Sequence, residues 1–116
     1  MALSTDSGFI ASPNYPGPFP SGSNCSYKIQ LPANKVLALG WLSFNLRPSL
    51  PNRCQDYIEV YDKHLSESNK VFRYCQSGYN PPQFTSSGNV AYLRFVSSSL
   101  KNYRYTGFIA YYQSGN

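Results

Sequence analysis

Several stretches of the chain alternate between apolar and polar positions with a period of two. In "YIEVYD", Ile58 and Val60 share one face while Tyr57, Glu59 and Tyr61 share the other. In "VAYLRFVS", Ala91, Leu93 and Phe95 alternate with Tyr92, Arg94 and Val96. In "GFIAYYQ", Phe108 and Ala110 oppose Ile109 and Tyr111. "CSYKIQL" alternates as well, and "NKVLALGWLSFNL" is longer and mostly apolar, like a strand inside a sandwich. A period of two marks strands with one buried face. Proline and glycine punctuate the whole length and leave little room for helices. The pattern predicts about seven to ten short strands in an all-β, antiparallel sandwich or barrel. "HLSESNK" offers one helical turn but reads better as a surface loop. Glu59, set apart from Ile58 and Val60 by the alternation, is expected to meet solvent.

The length of 116 residues fits one domain over 1–116, and no linker, repeat or charge run divides it. Eleven Tyr and seven Phe against 13% charged residues argue for a folded, aromatic-rich domain rather than disorder. The net charge of +5 favours anionic partners such as acidic proteins, sulfated glycans or membrane surfaces. Ten basic residues spread along a chain also serve simply as solubilising surface. No segment approaches the ~20 apolar residues of a membrane span. "MALSTDSG" is too short and polar for a signal peptide. The chain is therefore expected to be soluble, without membrane insertion, and any secretion signal to lie outside it.

Candidate chemistry is sparse. His64, the lone histidine, lies in the polar stretch "DKHLSESN", a poor setting for a nucleophile and its base. Asp56, Glu59 and Asp62 cluster on and just after one strand, and a carboxylate pair is conceivable there, but nothing supports a substrate cleft. No glycine-rich phosphate loop leads from a strand into a helix, so no nucleotide cofactor is expected. Basic residues interleaved with tyrosine in "LKNYRYTGF" could hold single-stranded nucleic acid or sugar, but the stretch reads better as an exposed loop entering the last strand, and no nucleic-acid partner is expected. Cys25, Cys54 and Cys75 make no CxxC pair, which argues against a metal site. Cys54 and Cys75 flank "DYIEVYD", and in an oxidising compartment a bridge between them would be worth about 3 kcal/mol. An odd count leaves a missing partner or a free thiol. Asn24-Cys25-Ser26 is a glycosylation sequon with a poor middle residue. "GFIASPNYPGPFPSGSNC" holds four prolines, three glycines and no charge. Its prolines preset φ and withhold backbone donors, which suits a fixed path at a sandwich edge.

Six ordered motifs resemble the CUB domain family over about Leu3 to Tyr112. "SGFIASPNYPGPFPSGSNCSYKIQLP" is similar to its opening, and "LSFNL" to its Phe-x-x-Phe-x-Leu strand. "CQDYIEVYD" is similar to its Cys-x-x-Asp-Tyr-[IV]-x-[IV]-x-Asp block, while "FRYC", "FTSSGNVAYLRFVS" and "YTGFIAYY" follow in order. The resemblance implies a β-sandwich of the CUB jelly-roll type, secreted or part of an ectodomain, and no enzyme. It implies two disulfides in the family, first to second cysteine and third to fourth. Cys25, Cys54 and Cys75 fall on the second to fourth positions, so Cys54 pairs with Cys75. Cys25 is left unpaired, its mate absent or upstream of residue 1.

Many members of that family hold calcium at one end of the sandwich. On the residues that match, Tyr15 and Asp56 are present, but Arg47 stands where the family has Glu and Ser98 where it has Asp. Calcium needs several hard oxygen ligands, so no metal is expected, and Arg47 is expected either to bridge Asp56 in place of the ion or to stand exposed on a long loop. The resemblance implies an extracellular protein-recognition or oligomerisation module of a larger protein, the alternative being a glycan or sulfated-polyanion binder similar to spermadhesins. The loops "RPSLPNR" and "SSSLKNYRY" carry the candidate binding residues Arg47, Arg53, Lys101, Tyr103 and Arg104.

Overall fold

The computed structural model describes residues 2–47, 53–76 and 79–115. Nine strands lie among them: β1 Ala2–Leu3, β2 Ser7–Ala11, β3 Asn24–Gln30, β4 Leu37–Asn45, β5 Tyr57–Asp62, β6 Lys70–Tyr74, β7 Phe84–Thr85, β8 Val90–Val96 and β9 Gly107–Ser114. "HLSESNK" contributes only a short 3-10 turn, Glu67–Asn69. Five strands form one sheet in the order β1-β3-β8-β5-β6 and four form the other in the order β2-β9-β4-β7. Every pairing is antiparallel except β1 with β3, which is parallel.

The alternation sets the two faces of each sheet. Ile58, Val60, Ala91, Leu93 and Phe95 point inward from the five-stranded sheet, and Leu39, Trp41, Phe108, Ala110 and Tyr112 from the other. Their side chains fill one core, with Phe95 and Phe108 meeting edge to face across it at 5.5 Å. The proline-rich segment after β2 also reaches this core. Its Phe19 is buried and packs edge-on against Phe95 at 5.3 Å. Gly107, at φ +89°, opens β9 in a left-handed conformation beside the Ser12 side chain, a place for glycine alone.

Charge is divided between the sheets. β2, β4, β7 and β9 contain no Asp, Glu, Lys or Arg. The five-stranded sheet carries Lys28, Glu59, Asp62, Lys70, Arg73 and Arg94. The uncharged sheet exposes Phe9, and Leu42 at the register shift between Trp41 and Ser43.

Candidate functional site at the loop end of the sandwich

Asp56 sits one residue before β5 and is fully buried, so its carboxylate must find partners within the protein. Arg47, two residues past β4, supplies them. Its Nε donates to Asp56 Oδ2 at 2.7 Å and its Nη2 to Oδ1 at 3.4 Å. The backbone N–H of Ser98 donates to Oδ1 at 2.9 Å. The same guanidinium donates to the carbonyls of Leu100 and Lys101, both at 3.3 Å. One cation thus joins the end of β4, the start of β5 and the loop between β8 and β9.

The segment between β2 and β3 is fastened to the same loop. Gly22 N–H donates to Ser98 O at 2.7 Å, and Ser97 Oγ to Pro20 O at 2.8 Å. Asn102 donates through Nδ2 to Phe19 O and Tyr105 O, and its Oδ1 accepts from the N–H groups of Arg104 and Tyr105. The Cys54–Cys75 disulfide pins the approach to β5 against the exit from β6. On this fixed base Lys101, Tyr103, Arg104 and Arg53 are exposed, Tyr103 to 80%. Residues 48–52 of the "RPSLPNR" loop lie outside the described residues.

The four positions that the family pattern singles out do not converge. Arg47, Asp56 and Ser98 meet; half-buried Tyr15 is bonded through its N–H to Ser12 O and is not among the partners of Asp56. One carboxylate with both oxygens engaged, one of them by a guanidinium at 2.7 Å, does not fit a calcium ion.

The expectation that Glu59 meets solvent is corrected. Alternation does turn it away from the core, but the side chain is fully buried. In register, Glu59 faces Arg94 on β8 and Arg73 on β6, and their long side chains close over it. Arg73 Nε donates to Oε2 at 2.8 Å, its Nη2 lies 2.7 Å from the same oxygen, and Lys70 Nζ reaches it at 2.9 Å. Tyr61 Oη donates to Oε1 at 2.6 Å, and Arg94 Nη1 to that oxygen at 3.3 Å. Burial would raise the carboxyl pKa, but the hydrogen bonds from Lys70, Tyr61 and Arg73 outweigh it and lower it to about 2. Arg73 also lies over the Tyr57 ring at 4.2 Å.

The three acidic residues on and beside β5 do not form a pair. Asp56 is tied to Arg47, Glu59 to three cations, and Asp62 Oδ1, at the far end of the strand, accepts from Ser87 N–H at 3.2 Å. His64 is exposed, and its backbone N–H donates to Asp62 O. Asn24 is exposed on β3 and its Oδ1 accepts from Arg94 Nε at 3.1 Å.

Cys25 is a free, half-buried cysteine whose register partner is Phe95. Tyr27, on the same face of β3, has its phenol pKa pushed up to about 12, first by burial and then by Cys25. A thiol titration of the unreduced, denatured chain is expected to find one reactive thiol, carried by Cys25, and alkylation should leave Cys54 and Cys75 unmodified. A count of zero in a monomer, or of three, would contradict this pairing.

The fold is a two-sheet sandwich whose rigid body carries loops at its end. The chain belongs to the CUB domain family, whose model matches residues 1–112. It is 37% identical over 112 residues to human cubilin and 32% identical over 113 residues to human procollagen C-endopeptidase enhancer 2. These alignments cover 97% of the chain but 3% and 26% of the two relatives, so the chain spans only a fraction of their length. The CUB1-EGF-CUB2 structure of rat MASP-1 superposes with a TM-score of 0.82 at 26% identity, over 98% of this chain and 42% of that one. The MASP-1 CUB2 domain bound to Ca2+ matches with a TM-score of 0.81 at 24% identity, over 97% of this chain and 96% of that one, a likeness of fold. The relatives are extracellular or ectodomain proteins, and the chain is an extracellular interaction module. Among the described residues, no helix is long and apolar enough to cross a membrane.

Proposed function

We propose that this domain is a non-catalytic protein-recognition module of a larger extracellular protein, that it works without calcium, and that it binds through the loop end. The observation that carries this reading is the Arg47–Asp56 pair, which joins three chain segments where relatives of the family use a metal. A guanidinium with five donors fixed in a plane can organise loops as an ion does. The exposed Lys101, Tyr103 and Arg104 then form a basic, aromatic surface, and tyrosine and arginine are the residue types that dominate protein interfaces.

The test is to probe an array of secreted proteins and receptor ectodomains with the domain and with its Tyr103→Ala and Arg104→Ala variants. A bound protein should lose about tenfold or more in affinity to each variant, and EDTA should leave its binding unchanged. A bound protein indifferent to both variants, or released by EDTA, would overturn the reading. A second reading, an anionic glycan as ligand, is favoured by a separate observation, the convergence of three cations on Glu59.

A further inference from the structure

The outer face of the five-stranded sheet holds more positive charge than its own carboxylates use. Lys70, Arg73 and Arg94 converge on Glu59, and Glu67 at the rim takes a second bond from Lys70 at 3.0 Å. Lys28 adds a fourth cation on β3, one row along from Ser26, the register neighbour of Arg94. Glu59 and Glu67 offset two of these four positive charges, which leaves the face with a net excess of two. Arg73 remains 46% exposed and Arg94 32%. From Lys28 to the β6 cations the band crosses three strand spacings, about 14 Å.

Beside Arg94 the face dips into an open groove of about 390 Å3. Asn24, Ser26 and Ser66 line it with amide and hydroxyl groups, and Tyr61 and Leu65 give it an apolar edge. Glu67 closes the end nearest Lys70, so an anionic group belongs on the Arg94 and Arg73 side.

We propose that this face is a second binding site, and that its ligand is a sulfated glycan lying across Lys28, Arg94 and Arg73 with one sugar in the groove. The proposal rests on the anionic-glycan reading and assigns it to the sheet face, away from the loop end. Side chains already held by Glu59, Asn24 and the Tyr57 ring lose little freedom when they meet sulfate groups, which lowers the cost of binding. A groove lined by hydroxyls and an amide around one ring suits a sugar. An acidic protein would find little apolar surface to anchor on, since Tyr61 is buried and only Leu65 stands exposed at the edge.

Heparin serves as the probe, by affinity chromatography and by titration over a salt series, with the fold of every variant checked by its melting curve. The domain should be retained, and its affinity should fall steeply with salt. Arg73→Gln and Lys28→Gln should each weaken binding about fivefold, whereas Lys101→Gln and Arg104→Gln should leave it unchanged. Lys28 makes no bond to Glu59, so its variant reports on binding even if Arg73→Gln is destabilised. If only the Lys101 and Arg104 variants weaken binding, the sheet site is wrong while the glycan reading stands. If heparin is not bound at all, both fail. If polyglutamate displaces heparin at equal charge, the ligand is an acidic protein and the proposal is overturned.

Discussion

Glu59→Gln is expected to destabilise the domain by about 3 kcal/mol at neutral pH, because it leaves three cations crowded around a neutral amide. The substitution keeps the shape of the side chain and its acceptor for Tyr61, so the loss is one of charge rather than packing. A pH dependence separates the two. The folded pKa of Glu59 lies at about 2, against an ordinary 4.5. Between those values the unfolded chain binds the proton and the folded chain does not, so stability rises with pH across that window. The contribution is therefore complete above about pH 5 and is lost as the pH falls towards 2. Denaturant unfolding of both proteins at pH 7 and pH 3 is the measurement. The gap between them should be wide at pH 7 and clearly narrower at pH 3. An equal gap at both would mean that the ion pairs are not its source.

The same residue shows where reading the sequence stops. Alternation in "YIEVYD" assigns Glu59 to the outer face correctly, because side-chain direction in a strand follows from sequence position alone. Burial on that face depends on which side chains stand opposite, and strand register is not written in the spacing of one strand. Arg73 is 14 residues away and Arg94 is 35, and only the pairing of β6 and β8 with β5 brings them over the carboxylate. β1 and β7 escape for a different reason, since two residues cannot display a period. The charge-free composition of four strands is visible in the sequence, but their gathering into one sheet is not. At the loop end the motif resemblance brought Arg47, Asp56 and Ser98 to notice as a set. It gave no sign that the guanidinium would also hold the carbonyls of Leu100 and Lys101, because bonds to backbone carbonyls leave no mark on residue type.

Arg47→Ala is expected to cost about 3 kcal/mol, since it strands a fully buried carboxylate. Ser98 N–H would remain its one partner among the described residues. The remedy should be to remove the charge. Asp56→Asn on the Arg47→Ala background keeps an acceptor for Ser98 and should recover part of the loss, whereas Asp56→Asn alone should destabilise, because it takes away the anion that Arg47 faces. The double-mutant cycle then gives a coupling energy favourable to the pair, and near-additive costs would show the two residues to act independently. With the Arg47 side chain only 14% exposed, moderate salt should change this coupling little, unlike a surface pair. The loss should also be local first. Amide exchange is expected to quicken at Ser98, Leu100 and Tyr105 before it quickens in β5 or β8, since the guanidinium holds the loop rather than the core. Added calcium should restore neither stability nor protection to Arg47→Ala, for Asp56 alone is too poor a donor set. Rescue by calcium would show that the metal site survives beneath the arginine, and the assignment of Arg47 as its replacement would then be wrong.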